Sequence, residues 1–582
     1  MAALKGGVSL KMTFSIQPLP INRDPCRLME QSKRTFDLKT ITTQNLLGVC
    51  MPYDADSTLD LHQYTSIVDL IEKSCQKYAQ NTAYACLGKD TTFSEIERDS
   101  RHFAAYLQHC TTLQPGDRVA LQLPNITQFV IAAYGIIRAG MVLVNTNPMY
   151  TERELTHQFN DSGAKALIVL SDLLPTLTNV VNNTPVELVI STHAMDLIQP
   201  QPQPDTPFAK VTFLDVLTEG AKHPYQAVKP THDDLIALQY TGGTTGLSKG
   251  AMLNHGNLLA NSAQVKSRVA STMNPGHDVF VAPLPIYHIY AFMVNLVLYF
   301  ESGSCSVLIP NPRDIAGLIN TMKAYPFTGF AGLNTLFVGL CHQPEFKALD
   351  FSNMTITISG GTALTSAAAN LWQQTTGCMI SEGYGLSETS PVVSLNSPGY
   401  QRLGTIGKPV LGTEVRVLDM DDNEVATGQA GELAVRGPQV MQGYWNKPEE
   451  TAKVMTQDGF FKTGDIGIAS EDGYHTIVDR KKDMIIVSGF NVYPNEVEDV
   501  LSTNELVLEC AVVGVENERT GEAVKAVIVL KQQPDDIEAT KLQIDDYCRS
   551  QLTAYKVPRI IEFTDQLPKS TVGKILRREL RK

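Results

Sequence analysis

From about residue 64 onward, short continuous apolar runs alternate with segments whose apolar residues recur at helical spacing. Apolar runs typical of buried strands lie at 119–123, 141–144, 166–170 and 235–238. Segments with helical spacing lie at 66–74, 129–138 and 152–161. The last of these begins behind a capping sequence, in which Thr151 precedes Glu154 by three residues. Because strands and helices alternate, the pattern predicts an α/β fold with mostly parallel sheets.

The pattern changes twice toward the C-terminus. Between about 404 and 479, short strand-like runs alternate with turns rich in Gly and Asp, which predicts a β subdomain. Beyond residue 483 the predicted order is strand, helix, strand, strand and helix, at 484–488, 494–501, 508–515, 523–530 and 539–552. This order predicts a small α+β domain.

These changes suggest the domain organisation. Residues 46–480 form the predicted large N-terminal domain, 481–482 a hinge, and 483–582 a small mobile C-terminal domain. Five consecutive charged residues at 479–483 suit a solvated connector between two domains. Residues 1–45 show no clear periodicity, and we interpret them as an extension of unknown role for which disorder is one explanation.

Composition and charge narrow the class of protein. With 582 residues, of which 43% are hydrophobic, the chain has the composition of a soluble globular protein of several units. The net charge of -13 argues against a nucleic-acid partner and against firm docking on anionic lipid. The longest apolar run, 291–300, is too short for a bilayer span.

The cysteines indicate the compartment. Ten of them are scattered without a C-x-x-C pair, which argues against a zinc site or a disulfide scaffold and predicts a reducing, cytoplasmic location. The sequence leaves open a peripheral contact with the inner face of the cytoplasmic membrane. It also leaves open the oligomeric state, a homodimer included.

The stretch 240–250 concentrates groups that bind a polyphosphate. It contains four glycines, three threonines and a serine behind an apolar strand. Glycine lets the backbone approach a ligand closely, and successive N–H groups form a concave anion site. Ser248 and the threonines add hydroxyl donors, and Lys249 adds a positive charge. The stretch predicts a phosphate-binding loop rather than a flexible surface loop, although the position of Lys249 departs from the Walker pattern.

Two further turns and one histidine are candidate site elements. A strand followed by a glycine turn lies at 354–364, and a polar turn at 381–391 offers the ring of Tyr384 and the carboxylate of Glu388. Mg²⁺ prefers one or two carboxylates together with phosphate oxygens, so Glu388 suits a magnesium site beside a phosphate loop. Taken alone, Glu388 is an ordinary loop carboxylate. His288 lies in an apolar stretch, where spacing alone favours a core histidine over a catalytic one.

Six short motifs occur in the order that the adenylate-forming superfamily uses; this superfamily contains acyl-CoA synthetases, peptide-synthetase adenylation domains and beetle luciferases. The motifs lie at 240–250, 359–363, 382–389, 463–465, 479–483 and 568–574. Each is weak alone, but six in order are specific, and the chain from about residue 46 onward resembles this superfamily. The run 458–482 resembles the motif of fatty acyl-CoA synthetases. Stretches that are similar to the bacterial long-chain fatty acid–CoA ligases lie at 147–155, 487–496 and 552–559.

The resemblance implies a role for each matching position. The implied ATP and AMP ligands are Thr241, Gly242, Gly243, Thr244, Thr245, Gly246, Lys249, Gly360, Gly361, Tyr384, Gly385, Ser387, Asp465 and Arg480. The implied catalytic residues are Lys574, Glu388 and His288, with Glu388 also as the Mg²⁺ ligand. The implied hinge is Lys482, and Gly489 would line the tunnel for the pantetheine arm of CoA. Many relatives carry Thr at the position of Ser387, and the hydroxyl is kept.

The activity implied by the resemblance is ATP-dependent activation of a long-chain fatty acid to acyl-CoA through an acyl-AMP intermediate. ATP, Mg²⁺, CoA as a co-substrate and the fatty acid are the implied cofactors and small-molecule partners. Three alternatives stay open. The chain could hand acyl-AMP to a carrier protein, act as a medium-chain or aryl CoA ligase, or bind nucleotide without catalysis. The sequence does not decide the preferred chain length.

Overall fold

The computed structural model describes residues 59–241, 248–570 and 573–581. The predicted extension at 1–45 lies outside the described residues. So do six residues of the predicted phosphate loop, 242–247, which include the predicted ligands Gly242, Gly243, Thr244, Thr245 and Gly246. The described part of the chain contains four β-sheets and the helices that cover them.

The first sixteen described strands form two large sheets. In chain order they are β1 (Thr82–Cys86), β2 (Lys89–Thr92), β3 (Arg118–Gln122), β4 (Val142–Asn145), β5 (Ala164–Leu170), β6 (Leu188–Thr192), β7 (Val211–Thr212), β8 (Leu235–Thr241), β9 (Lys249–Asn254), β10 (Val279–Ala282), β11 (Cys305–Leu308), β12 (Gly329–Gly332), β13 (Ile356–Ser359), β14 (Ile380–Gly385), β15 (Val392–Leu395) and β16 (Lys408–Pro409). One sheet has the order β7-β6-β5-β3-β4-β8-β9, and the other the order β16-β15-β14-β13-β12-β10-β11-β1-β2.

Both large sheets are parallel in their interior and antiparallel at an edge. The pairs from β7 to β8 in the first sheet are parallel, and β9 closes it antiparallel to β8. In the second sheet, β14 to β1 are parallel, whereas β2, β15 and β16 pair antiparallel. Strands buried on both faces explain the continuous apolar runs in the sequence.

The described residues also contain sixteen α-helices. In chain order they are α1 (Ile67–Lys77), α2 (Phe93–His109), α3 (Thr127–Arg138), α4 (Glu152–Ser162), α5 (Thr178–Asn182), α6 (Phe213–Gly220), α7 (His255–Val269), α8 (Ile289–Phe292), α9 (Tyr299–Glu301), α10 (Ile315–Met322), α11 (Asn334–Cys341), α12 (Pro344–Lys347), α13 (Ser366–Thr376), α14 (Pro448–Val454), α15 (Pro494–Ser502) and α16 (Ile537–Gln551). Every residue of α3 is buried, so this helix packs inside the core rather than on its surface. The capping box predicted before α4 is confirmed, with Thr151 and Glu154 bonding each other's backbone N–H.

Two smaller sheets complete the fold. The antiparallel sheet of β17 (Glu414–Leu418), β18 (Ala430–Arg436), β19 (Phe461–Ala469) and β20 (His475–Arg480) forms the predicted β subdomain. The C-terminal sheet contains β21 (Ile485–Val487), β22 (Phe490–Val492), β23 (Val507–Asn517), β24 (Gly521–Leu530) and β25 (Ile560–Phe563). With α15 and α16 against it, this part has the predicted α+β composition, and the predicted fold class is confirmed.

Two local features differ from the predictions. Lys249, which was predicted to lie in the phosphate loop, begins β9 and pairs with β8. The short strands β22 and β25 are absent from the predicted order, since three or four residues give too little periodicity. The apolar run 291–300 is helical with a π-helical segment at Met293–Leu298. Within the described residues, no helix is long and apolar enough to cross a bilayer.

Candidate active site

One large cleft lies where several parallel strands of both large sheets end. Thr241 ends β8, Ser359 ends β13 and Gly385 ends β14, and all three line a cavity of about 1790 Å³. The carboxyl ends of parallel strands are the usual ligand-binding edge of an α/β sheet. The cleft also receives side chains from β19, β20 and the C-terminal segment, so it is built from distant parts of the sequence.

Lys574 reaches this cleft from the C-terminal segment. A Cβ atom built on Gly361 would lie 3.7 Å from Lys574 Cε and 3.9 Å from its Nζ, so the lysine contacts the turn after β13. Burial lowers the pKa of Lys574 to about 8 and Arg480 adds to this effect, whereas Asp465 and Glu388 oppose it. The predicted adenylation lysine therefore faces both predicted carboxylates.

Tyr384, Asp465 and Arg480 form a second group in the cleft. The Tyr384 hydroxyl donates to Asp465 Oδ2 at 2.6 Å, and Arg480 Nε lies 3.7 Å from Asp465 Oδ1. Burial raises the pKa of Asp465, while Arg480 and the Tyr384 hydrogen bond lower it. Asp465 and Arg480 stand opposite each other on β19 and β20, and this pairing brings the two predicted nucleotide ligands together.

Glu388 is held by a residue that the sequence reasoning missed. The Tyr444 hydroxyl donates to Glu388 Oε1 at 2.8 Å, and Glu388 is only 8% exposed. The Lys249 amine lies 5.0 Å from the centre of the Tyr444 ring and pairs with Glu450 on α14. Burial raises the pKa of Glu388, and the Tyr444 hydrogen bond and Lys249 act against that rise.

This environment fits a magnesium ion that is shared with a nucleotide. Mg²⁺ is usually bound by one or two carboxylates plus phosphate oxygens, and a single oriented carboxylate beside a lysine satisfies the protein's part of that set. Within residues 59–241, 248–570 and 573–581, the one group of three His, Cys, Asp or Glu side chains at metal-ligand spacing is Cys110, Glu219 and His223. Lys222 already pairs with Glu219 there at 2.6 Å. We therefore assign no metal to that group.

His288 precedes α8 at the border between the cleft and the apolar helical region. Its Nδ1 accepts from the Tyr290 N–H at 3.4 Å, and the Tyr290 hydroxyl donates to the Ile358 carbonyl at 3.2 Å. Burial, with Lys574 as the second cause, lowers the pKa of His288 to about 3, so the imidazole is neutral near pH 7. His288 also lines the cleft, so its surroundings are not those of a core histidine alone.

The glycines of two turns allow close backbone approach. A Cβ on Gly385 would lie 1.9 Å from the Pro391 carbonyl oxygen, and no side chain fits there. Gly361 has φ +83°, a left-handed conformation that favours glycine. Gly360 lies beside them, and Ser387 begins the short 3₁₀ turn that carries Glu388. All of these residues line the cleft.

The predicted hinge and CoA tunnel have different surroundings. Lys482 lies in the turn between β20 and β21 and lines the cleft. Gly489, a described residue with φ +84°, is exposed and lies outside the cleft lining. A Cβ built on Gly489 meets nothing within 4 Å. The two C-terminal residues with predicted roles in catalysis, Lys574 and Gly489, therefore do not meet at one site in this arrangement.

Sequence reasoning also missed a charged network behind the hinge. Arg577 donates to Asp479 at 3.1 Å, to Glu498 at 2.8 Å and to Asn495 at 2.6 Å. The available signals were the charged run 479–483 and the basic residues near the C-terminus. Neither signal indicates that Arg577 contacts Asp479. Glu382 was also missed; burial raises its pKa to about 8, which leaves it largely protonated near pH 7.

Family models match most of the chain. A model described as AMP-binding enzyme matches residues 71–445, and one described as AMP-binding enzyme C-terminal domain matches residues 496–574. The long-chain-fatty-acid–CoA ligase of Escherichia coli O157:H7 is 46% identical over 547 residues, which cover 91% of this chain and 96% of that protein. The protein of the same name from Bacillus subtilis (strain 168) is 38% identical over 550 residues, with 91% and 96% covered.

Solved structures share the fold of this chain. The anthranilate CoA ligase AuaEII in complex with anthranoyl-AMP superposes with a TM-score of 0.81 at 27% identity, covering 89% of this chain and 97% of that chain. The ATP-bound MatB from Rhodopseudomonas palustris gives a TM-score of 0.78 at 29% identity, covering 88% and 98%.

Proposed function

The chain belongs to the family of AMP-binding enzymes, and from this premise we propose that it is an AMP-forming long-chain fatty acid–CoA ligase. The observation that carries the proposal is the 46% identity over 91% of the chain to long-chain-fatty-acid–CoA ligases. ATP and CoA are the co-substrates of such ligases. The cleft supports the reaction class, because it combines a cation, two carboxylates and glycine turns at the ligand-binding edge of the sheets.

In the first half-reaction, a fatty carboxylate oxygen attacks the α-phosphorus of ATP, the bond to the β-phosphate oxygen breaks, and pyrophosphate leaves. Both reactants are anions, so positive charge placed in advance lowers the barrier. Lys574 is the proposed source of that charge at the α-phosphate. Tyr384 would stack on adenine, and Asp465 with Arg480 would hold the ribose. The neutral His288 would border the acyl chain without adding charge.

Lys249 would hold the ATP phosphates once it leaves Glu450. Its present partners are the Glu450 carboxylate and the ring of Tyr444, whose hydroxyl bonds Glu388. Glu388 is the residue that would hold Mg²⁺, with Tyr444 orienting its carboxylate. When bound, Mg²⁺ would neutralise phosphate charge in this part of the cleft.

In the second half-reaction, the CoA sulfur attacks the acyl carbonyl, a thioester forms, and AMP leaves. We propose that the C-terminal domain rotates about Lys482 between the two steps, which withdraws Lys574 and brings Gly489 to the cleft. Residues 46–480, 481–482 and 483–582 remain our proposed large domain, hinge and small domain. Peripheral membrane contact and a homodimer remain open proposals.

The experiment is CoA-thioester formation from ATP and fatty acids of increasing length, with pyrophosphate followed in parallel. We expect thioester yield to rise with long chains. Pyrophosphate release without thioester would indicate transfer to a carrier protein instead. A preference for short or aromatic acids would favour a medium-chain or aryl CoA ligase, and absence of both products would indicate a binding protein.

A further inference from the structure

The first turn of α13 binds a carboxylate that belongs to the part of the chain beyond the proposed hinge. Asp499, on α15, accepts from the Ser366 backbone N–H at 3.1 Å. The Ser366 hydroxyl donates to the same carboxylate, at 3.1 Å from Oδ1 and 3.4 Å from Oδ2. These two residues are 133 positions apart in the chain. The contact therefore joins the large domain to the small one.

The chemistry of this contact is that of a helix cap. The first N–H groups of a helix have no partner within it, and a negative charge is favourable there. Thr365 caps α13 from within the chain, because its side chain accepts from the Ala368 N–H at 3.3 Å. Asp499 supplies a second cap, because its carboxylate accepts from the backbone N–H of Ser366, the residue after Thr365.

The turn between β13 and α13 is held by the small domain at both ends. At its beginning, Lys574 lies close to Gly361, because a Cβ built on that glycine would be 3.7 Å from Lys574 Cε. At its end, Asp499 binds Ser366. A rigid rotation of the small domain about Lys482 moves Lys574 and Asp499 together, so the two contacts form and break in the same motion.

We propose that Asp499 is a positioning residue that holds Lys574 in the cleft by capping α13, and so sets the balance between the two half-reactions. The inference rests on the proposed two-step function. The proposed role of Asp499 is to position Lys574 and not to take part in the chemistry. Its contribution to the first half-reaction is the fraction of time that the small domain keeps Lys574 in place.

The test compares Asp499→Ala with a matched control, Asp546→Ala. Asp546 lies on α16 of the same domain and is exposed, so the control removes the same charge from a position away from the cleft. We expect Asp499→Ala to lower acyl-AMP formation by about fivefold, the effect of losing a charged hydrogen bond at a helix end. Conversion of supplied acyl-AMP and CoA to thioester should stay unchanged or rise.

A double-mutant cycle with Ser366→Ala separates positioning from general destabilisation. The Ser366 variant keeps its backbone N–H, so it should lose less activity than Asp499→Ala, and the double variant should lose no more than Asp499→Ala alone. An equal fall in both half-reactions, or independent additive losses, would overturn the proposal.

Hydrogen exchange tests the cap without any need for activity. Peptides that contain Ser366 should exchange faster in Asp499→Ala than in the wild type or in Asp546→Ala. Unchanged exchange would show that the cap is not populated and would overturn the inference. If the wild type forms neither acyl-AMP nor thioester, the proposed function fails, and the exchange result still decides whether Asp499 caps α13.

Discussion

Lys574 and Gly489 belong to the same C-terminal segment, yet they lie in opposite surroundings. Lys574 contacts Gly361 inside the cleft, and its pKa is lowered by burial. Gly489 is exposed, and a Cβ built there meets nothing within 4 Å. The position of Lys574 fits the arrangement that we propose for acyl-AMP formation. Under the proposed rotation, a different placement of the same segment would bring Gly489 to the cleft for thioester formation.

Under the proposed rotation, the C-terminal segment would offer the cleft two chemically distinct faces, one with Lys574 and one with Gly489. The fixed part, which contains Tyr384, Glu388 and Asp465, belongs to the sheets of the large domain and its β subdomain. A substitution on one face should affect one half-reaction, and a substitution in the fixed part should act on nucleotide binding. Variants of each kind test this expectation.

The largest effect is expected for Lys574→Ala. Removing a preorganised positive charge from a developing transition state costs about 10²- to 10³-fold. Acyl-AMP formation should fall by that factor, whereas thioester formation from supplied acyl-AMP should be retained. The two rates are measured separately by pyrophosphate release and by CoA consumption. Equal losses in both would contradict the separation of the two faces.

The opposite pattern is expected for Gly489→Leu. If the exposed loop lines the thiol path in the other arrangement, a side chain should slow thioester formation by about 100-fold through misplacement of the thiol. Acyl-AMP formation should stay close to wild type, since nothing crowds Gly489 here. Gly521→Leu is the control, because Gly521 also has positive φ (+80°) on the same domain. A similar defect in that control would point to backbone strain instead.

A smaller effect is expected in the fixed part of the cleft for Tyr444→Phe. The variant removes the 2.8 Å hydrogen bond to Glu388, which lowers the pKa of that carboxyl and orients it. Loss of such an outer partner typically weakens metal binding by about tenfold, so the Mg²⁺ concentration for half-maximal acyl-AMP formation should rise by that factor. Tyr474→Phe is the matched control, because its hydroxyl bonds the Tyr400 carbonyl away from the carboxylate. An unchanged Mg²⁺ dependence would contradict the proposal that Tyr444 orients Glu388 as a Mg²⁺ ligand.

The smallest effect concerns pH. Lys574 is protonated below its pKa of about 8 and neutral above it, so its charge is lost as the pH rises. We expect kcat/KM for acyl-AMP formation to fall by about half between pH 7 and pH 8, and further above. Lys574→Arg keeps the charge and should show no such decline, whatever its absolute rate. Thioester formation from supplied acyl-AMP should not follow this profile.

Much of the fold was predictable because it is local. The parallel strands β3, β4 and β5 appear in the sequence as short continuous apolar runs, and the capping box indicates where α4 begins. The short strands β22 and β25 were not predictable, since three or four residues give too little periodicity. In addition, β25 pairs with β24, from which α16 separates it in the chain. Likewise, the sequence placed Lys249 in a loop, and pairing with β8 puts it at the start of a strand.

The candidate site was predictable in its parts and not in its contacts. The motifs around Lys574, Glu388 and Asp465 are contiguous stretches, so the sequence alone could identify each of them. The partners Tyr444, for Glu388, and Asp499, for Ser366, lie 56 and 133 residues away and carry no local signal. Their importance depends on distance in space, which a linear pattern does not contain.

The family, the fold class and the order of the motifs could be identified from the linear chain, because they depend on residue types and short spacings. That Lys574 lies in the cleft and Gly489 outside it, and which charged groups surround Lys574, could be seen in three dimensions alone. The physical reason is that burial and Coulomb interactions depend on the distances between side chains, and chain topology sets those distances.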